Sequence, residues 1–448
     1  MLIASNQTVL IVGGGATGLS AARYLHQQGI AFFVFDTRSE PSLLEPFRQI
    51  DTGIPCFSGE FDLNLLEQVS SVLLSPGVSR DTAVVKAALE KEIEVAGDIS
   101  WFLKAVASPV IGITGSNGKS TVTTMVALAA EKAGIKSSVG GNLGRPALEL
   151  LADQADLYVL ELSSFQLEST AQANLQVAVN LNVSEDHLDR HGSLLNYFSA
   201  KQKIFHGAKN VVYNSDDRLT QPPIVDGVSR RGFALAKTIE SSELQYWFDE
   251  QSGYLMCGDE QLMLRSEIRQ RGLHNIENVL ALFAICDAAG IERSATKDVA
   301  QRFPGLAHRC EFIAEHGGVC FVNDSKATNE GACIAALNGL ADEFSQVILI
   351  AGGQAKGSSF SKLLPVLKDR VDLLLLIGDA AASLISKVDK TVECLRVESM
   401  AEAVGVANER ASTGSLVLLS PACASFDMFK GFEHRGESFK HEVEALFL

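Results

Sequence analysis

The sequence predicts an α/β protein of three segments built on mainly parallel sheets, and three observations carry that prediction. Apolar strand-like runs alternate with amphipathic runs along most of the 448 residues, the pattern of helices laid on parallel strands. The length exceeds one ordinary hydrophobic core, so two or three domains are expected. Two glycine-rich turns, Gly13 to Gly18 and Gly115 to Gly118, each follow a short apolar strand and precede a helical run.

In the first segment Thr8 to Val12 and Ala31 to Phe35 read as strands with a helix over Leu19 to Gln28 between them, and Val72 to Leu74 reads as a third strand entering Ser75-Pro76-Gly77. Gly97-Asp98 is the expected end of this domain, residues 1–97. The second segment, residues 98–305, carries the second glycine turn and strands at Leu157 to Leu160 and Val177 to Leu181. Its later part changes character: Ser252 to Leu264 has Gly258-Asp259 between apolar runs and reads as an appended hairpin. A helix over His274 to Ala289 follows, and Phe303-Pro304-Gly305 marks the next boundary. The third segment, residues 306–448, repeats the strand-helix rhythm at Val319 to Val322, Val347 to Ile350, Leu373 to Ile377, Cys394 to Val397 and Leu416 to Leu419. Ligands of open parallel sheets lie beyond the carboxyl ends of the strands, so loops 323–331, 352–357 and 420–427 are expected to face one cleft.

Composition narrows the class. Hydrophobic residues make up 46% and charged residues 21%, as in folded soluble proteins, and 38 basic against 54 acidic residues leave a net charge of −16. That balance argues against a nucleic-acid or anionic-membrane surface, and a phosphate site in such a chain must be locally positive. The amino terminus lacks a basic leader, and the longest apolar runs are too short to span a bilayer, so no membrane span and a cytoplasmic location are expected. Eight cysteines from Cys56 to Cys423 form no C-x-x-C pair, which points to neither a zinc cage nor a disulfide framework.

The strongest motif is Ile111 to Thr121, IGITGSNGKST, where a β-branched run enters a turn closing on Lys119 and Ser120. Such loops leave backbone N–H groups free at a helix N-terminus, where a lysine adds charge for phosphate oxygens and a hydroxyl reaches Mg²⁺. The spacing is a variant, because Ile113 stands where the standard pattern has glycine and Gly112 and Gly115 flank it. Gly13, Gly15 and Gly18 form G-x-G-x-x-G, with Asp36 ending the next strand; taken alone this is the nicotinamide dinucleotide pattern, although the glycines equally permit another nucleotide. Glu161, beyond a strand near the phosphate loop, is a natural Mg²⁺ ligand, whereas its plain reading is a strand end. The string DHLDRH, Asp186 to His191, lacks an upstream H-x-H and supplies one or two ligands rather than a complete site. Lys201 lies in a helix-like stretch where a lysine is usually a solvated charge. His308-Arg309 reads either as linker polarity or as an arginine reaching a nucleotide phosphate, and DSKATN, Asp324 to Asn329, crowds ionic and hydroxyl groups into one loop as a binding site does.

With those residues in view, the chain resembles the Mur ligases, ATP-dependent amide-forming enzymes of peptidoglycan assembly, over essentially its whole length. The resemblance rests on ITGSNGKST, GGNLG (Gly140 to Gly144), ELSSFQLE from Glu161, NVSEDHLDRHG, HNIEN from His274, AHR ending at Arg309, and DSKATN. Within the family, DSKATN and the run from Ser420 are similar to the loops of the branch that adds D-glutamate. The resemblance implies a Rossmann-like N-terminal domain for the UDP moiety, a central P-loop ATPase-type domain, and a Rossmann-like C-terminal domain for the amino acid. The substrates would be UDP-N-acetylmuramoyl-L-alanine and D-glutamate, with ATP and Mg²⁺, in a protein acting as a monomer. Gly15, Ala16, Thr17, Asp36, Thr37, Arg38, Ser75, Pro76 and Gly77 would surround the UDP, and Asn142 and His187 would meet the same substrate. Gly115, Ser116, Asn117, Gly118, Lys119, Ser120 and Thr121, with Asn275, Asn278, Arg309 and Asp324, would hold ATP. Ser120, Glu161, His187 and a carbamylated Lys201, in the Tyr197 to Lys201 setting, would bind metal. His308, Lys326, Thr328, Lys356, Ser425, Phe426 and Phe432 would surround D-glutamate. Lys119, Glu161, His187, Lys201 and Arg309 would carry catalysis through an acyl phosphate. The rivals are another ligase of the same fold, such as a folylpolyglutamate synthetase, a nicotinamide-dependent dehydrogenase, and a nucleotide switch without turnover.

Overall fold

A computed structural model describes residues 8–184, 186–237, 244–270, 272–355 and 360–447. Three sheets account for the strands. The first contains β1 (Thr8–Val12), β2 (Ala31–Asp36), β3 (Cys56–Ser58), β4 (Ser71–Leu74) and β5 (Glu94–Gly97), all parallel in the order β3-β2-β1-β4-β5.

The second sheet contains β6 (Val110–Thr114), β7 (Ser137–Gly141), β8 (Leu157–Glu161), β9 (Val177–Asn180), β10 (Asn210–Asn214), β11 (Ser229–Ala234), β12 (Leu244–Asp249), β13 (Tyr254–Cys257) and β14 (Glu260–Leu264). Its order is β14-β13-β12-β11-β10-β9-β6-β8-β7, parallel except for the expected hairpin β13-β14 at one edge. The third contains β15 (Glu311–His316), β16 (Val319–Asn323), β17 (Gln346–Gly352), β18 (Leu373–Ile377), β19 (Glu393–Arg396) and β20 (Ser415–Leu419), ordered β15-β16-β20-β17-β18-β19 with only the β15 edge antiparallel.

The central strands are the legible ones because burial on both faces demands unbroken apolar runs. Thus VIGIT of β6, LLLLI of β18 and SLVLL of β20 are buried at every position. The strands unread in the sequence, among them β3, β7, β11 and β15, are short or mixed in polarity, and their pairing rather than their composition makes them strands. The first helix runs Ala16–Gln27, starting three residues before the expected Leu19 because it begins directly at the glycine turn.

The chain divides into two compact units. One comprises Met1–Val183, His187–Leu264 and Val279–Val299; the other comprises Ser184–Asp186, Arg265–Asn278 and Ala300–Leu448. The first unit holds two sheets because one apolar cluster runs through both of their segments, from Val9 and Ile11 through Ile99 and Phe102 to Tyr158, Leu160 and Ala178. The third sheet has its own cores on its two faces, centred on Leu349 and Leu374 on one side and on Ile348 and Phe439 on the other.

Candidate functional site

In the first unit, β6 sits inside the nine-stranded sheet and ends at Thr114, and the helix Lys119–Lys132 starts after the turn. Gly118 at the N-cap has φ +79, a left-handed conformation that glycine adopts without a Cβ penalty. The turn is pinned from the end of β9. Asn117 donates its N–H to Asn182 Oδ1 at 2.7 Å, Asn182 Nδ2 donates to Asn117 O at 3.1 Å, and Ser116 N–H donates to Asn182 O at 2.9 Å. Ser116 Oγ and the buried Tyr197 hydroxyl are 3.0 Å apart.

The motif's turn closes on Lys119, yet Lys119 is already the first residue of the helix. It is half-buried, and its Nζ donates to Gly115 O at 2.7 Å and Ser116 O at 2.9 Å. Lys201 departs from the solvated-charge reading. It is 1% exposed, and its Nζ donates to the same Gly115 O at 2.7 Å and to Thr114 Oγ1 at 3.3 Å. Two amino groups therefore converge on one carbonyl of the phosphate loop. A neutral carbonyl holds an ammonium less strongly than an ionised phosphate does, so these contacts are of the exchangeable kind.

Beside the loop, Ser120 Oγ donates to Glu161 Oε2 at 2.6 Å, and Asn142 Nδ2 donates to Glu161 Oε1 at 2.7 Å. Lys119 and Lys201 thus meet at Gly115 O, and Ser120, Glu161 and Asn142 form a second hydrogen-bonded set, at the carboxyl ends of β6 and β8. Ser163 caps the following short helix in a capping box with Gln166. Phe165 on that helix packs its ring against His187, centroids 4.9 Å apart, and against His191 at 5.4 Å. Burial pushes the His191 imidazole below its ordinary range, while Ser164 Oγ lies 3.0 Å from its Nε2.

The nine residues expected around UDP, from Gly15 to Gly77, line one cleft of about 350 Å³ at the ends of β1, β2 and β4. Asp36 is buried there and accepts from Gly14 N–H at 2.6 Å, Arg38 N–H at 2.9 Å, and Arg38 Nε and Nη2 at 2.9 Å each. The Arg38 hydrogen bond draws its carboxyl down to about 2. The carboxylate that a dinucleotide site would present to a ribose is thus filled by its own chain, and the exposed guanidinium of Arg38 faces the cleft instead.

In the second unit, the loops after β16, β17 and β20 are cross-linked. Asp324 accepts from Ser420 Oγ at 2.8 Å and from Cys310 N–H at 3.2 Å, and burial pushes its carboxyl up to about 7. Gln354 and Ala424 exchange backbone bonds of 2.8 and 3.1 Å. Arg435, 1% exposed, donates to Ser325 Oγ at 3.0 Å, Ser325 O at 2.8 Å and Cys423 O at 3.1 Å, and burial lowers it to about 10.

His308, read as linker polarity or as a ligand contact, is buried with φ +63. Its Nδ1 lies 3.0 Å from Asn323 Nδ2, and its ring rests where a Cβ on Gly436 would come within 2.1 Å, so only glycine fits that helix position. Lys326 Nζ sits 3.7 Å from the centre of the Phe432 ring. Thr328 and Phe426 are exposed and Ser425 is buried. Asn275 is buried, with Asn278 Nδ2 3.3 Å from its Oδ1, and Arg309 is half-buried with its N–H on Leu306 O. Lys356 lies outside the described residues. Sequence reasoning passed over Asn182, Thr114, Phe165, Asn323 and Arg435. They lie within the quoted motifs and loops, but nothing local distinguished them from their neighbours.

Family models match along the chain: a Mur ligase MurD-like N-terminal domain over residues 7–97, a Mur ligase middle domain over 113–286, and a Mur ligase glutamate ligase domain over 308–423. The chain is 49% identical over 448 residues to the UDP-N-acetylmuramoylalanine–D-glutamate ligase of Teredinibacter turnerae, covering 99% of each. It is 46% identical to the enzyme of the same name from Saccharophagus degradans, covering 98% of this chain and 97% of that one. Among solved structures, a pseudomurein peptide ligase type C from Methanothermus fervidus aligns with TM-score 0.61 and 18% identity over 98% of this chain and all (100%) of its own. The UDP-N-acetylmuramate–alanine ligase of Thermotoga maritima aligns with TM-score 0.57 and 18% identity, over 98% of this chain and 99% of its own; these two show a shared fold. The chain belongs to the Mur ligase family.

Proposed function

We propose that this Mur ligase joins D-glutamate to UDP-N-acetylmuramoylalanine, using ATP, in peptidoglycan precursor synthesis. The observation that carries the reading is full-length likeness to ligases of that name, and the lysine-bearing phosphate loop at Lys119 is the machinery such a reaction needs. A carboxylate is a poor electrophile. Its oxygen therefore attacks the γ-phosphorus of ATP, ADP leaves, and an acyl phosphate forms; the amine of D-glutamate then attacks the acyl carbon, phosphate leaves, and the amine proton passes to solvent.

In this reading the residues from Gly115 to Thr121 cradle the ATP phosphates, and Lys119 and Arg309 balance charge on the transferring phosphoryl group. Lys119 exchanges its carbonyl partners for phosphate oxygens, and Asn275, Asn278 and Asp324 serve the nucleotide. The cleft from Gly15 to Gly77 takes the UDP, and Asn142 and His187 hold the substrate near its reacting end. His308, Lys326, Thr328, Lys356, Ser425, Phe426 and Phe432 serve D-glutamate, with buried His308 acting by position rather than by exposed contact.

Mg²⁺ fits the donor set. Ser120 and Glu161 offer hard oxygens 2.6 Å apart beside the phosphate loop, and among the described residues no group of three or more His, Cys, Asp or Glu side chains forms a metal cage, so phosphate and water would complete the shell. When bound, the cation offsets phosphate charge. His187 is the further candidate ligand, and Lys201 becomes one only as a carbamate, since an amine brings no oxygen. No helix of the described residues is long and apolar enough to cross a membrane. We place the reaction in the cytoplasm, carried out by a monomer with domains at 1–97, 98–305 and 306–448.

The test is phosphate release from a matrix of UDP-sugar peptides against D- and L-amino acids. Release requiring UDP-N-acetylmuramoyl-L-alanine together with D-glutamate is expected. Release with L-glutamate alone, or with a folate acceptor, overturns the assignment.

A further inference from the structure

The first unit contains a second cleft, of about 810 Å³, which shares no lining residue with the phosphate loop or the UDP cleft. It is walled by β5, by the helix Asp98–Ala105 and by the loop that follows Glu168, and its volume falls within the ~300–1,000 Å³ typical of small-molecule sites. Its charges do not cancel. Glu94 pairs with Lys104 at 2.6 Å, and the Glu168 carboxylate is taken by Arg190 at 3.2 Å, with His191 at 3.7 Å. Among the described residues, two cations of the lining form no ion pair with a carboxylate. Lys203 Nζ has only a carbonyl, Glu168 O at 2.7 Å. Arg80 is half-buried, and among the described residues no hydrogen bond or ion pair engages it.

An arginine has five donors and cannot shed its charge, so a half-buried one with no protein acceptor is a ready partner for an anion. Arg80 and Lys203 line the same cleft. This occurs in a chain of net charge −16, where stray cations have no shortage of carboxylates to pair with. Beside them Val95 and Leu103 give the wall an apolar strip.

We propose that this cleft binds a small organic anion, a phosphate monoester or carboxylate with an apolar body, its anionic group between Arg80 and Lys203 and its body on Val95 and Leu103. Because the walls come from β5 and from the loop beyond Glu168, the ligand would bridge the first and middle segments inside one compact unit.

The probe is phenyl phosphate, titrated by calorimetry into the full-length enzyme already saturated with ADP and UDP-N-acetylmuramoyl-L-alanine, so that the phosphate loop and UDP cleft are filled. One saturable event is expected. Arg80→Glu and Lys203→Gln should each weaken it about tenfold or more, and Arg80→Lys by less than about threefold, since a point charge keeps part of the contact. Thermal denaturation unchanged in Arg80→Glu shows that the loss is not unfolding. Absence of a saturable event in the wild type, or equal affinity in Arg80→Glu, overturns the site. Neither result bears on the ligase reaction, which the phosphate-release assay tests separately.

Discussion

Two polar clusters, each at the carboxyl ends of parallel strands, are built to opposite purposes. In the first unit the ammonium groups of Lys119 and Lys201 lean on backbone carbonyls of the phosphate loop, and Glu161 is held by a serine hydroxyl and an asparagine amide. In the second unit Arg435 and Asn323 are committed to the chain itself, buried and hydrogen-bonded to Ser325, Cys423 and His308. In the proposed reaction, groups of the first kind change partners when phosphate arrives. Groups of the second kind hold loops, and they present Lys326, Thr328 and Phe426 at the surface while themselves staying inside.

The sharpest test removes the exchangeable cation. Lys119→Ala should lower kcat/KM for ATP about 10³-fold, the scale of losing a charge aimed at a transferring phosphoryl group, while the denaturation midpoint barely moves. A folded variant with near-normal phosphate release would break the comparison at its first member. The mirror experiment is Arg435→Ala, which strands Ser325 O and Cys423 O and should destabilise the second unit by about 3–5 kcal/mol, read by urea denaturation. An unchanged midpoint would show that this cluster is not the scaffold described.

Lys326→Ala lies between these cases, since its ammonium faces the Phe432 ring at the surface of the held loops. We expect KM for D-glutamate to rise about tenfold or more with KM for ATP little changed, as follows from losing one charge-assisted contact to one substrate. Equal effects on both substrates would refute its assignment to the amino acid. The last test is a pH slope. The folded chain holds the Asp324 proton up to about 7, whereas the unfolded chain releases it near 3.8, so stability should fall as pH rises through that window and level off above it. Asp324→Asn should flatten this slope, while a slope unchanged in the variant would assign it to other groups.

Much of this was legible before any coordinates. The buried parallel strands announced themselves as unbroken apolar runs, glycine turns are followed by helices as expected, and the nine residues expected around UDP line one cavity. Lys119, Ser120 and Glu161 are singled out by the sequence because each sits at a motif or a strand end. Lys201 was named by resemblance alone, since helical periodicity treats a lysine as solvent-facing until packing buries it. Asn182, His308 and Arg435 were missed or misread for one reason: an asparagine, histidine or arginine carries no local sign of whether its partner is water or a carbonyl more than a hundred residues away, as Ser325 is from Arg435.

The sequence by itself determined the α/β class, the order of the segments and the residue types gathered at strand ends, because burial and turn chemistry act over neighbours. Tertiary structure alone decided which polar groups are exchangeable and which are committed. It set the two lysines on Gly115 O, filled Asp36 with Arg38, and sealed Arg435 away from solvent. Hydrogen bonding and desolvation depend on what the fold brings within about 3 Å, and that distance is not encoded in the order of residues along the chain.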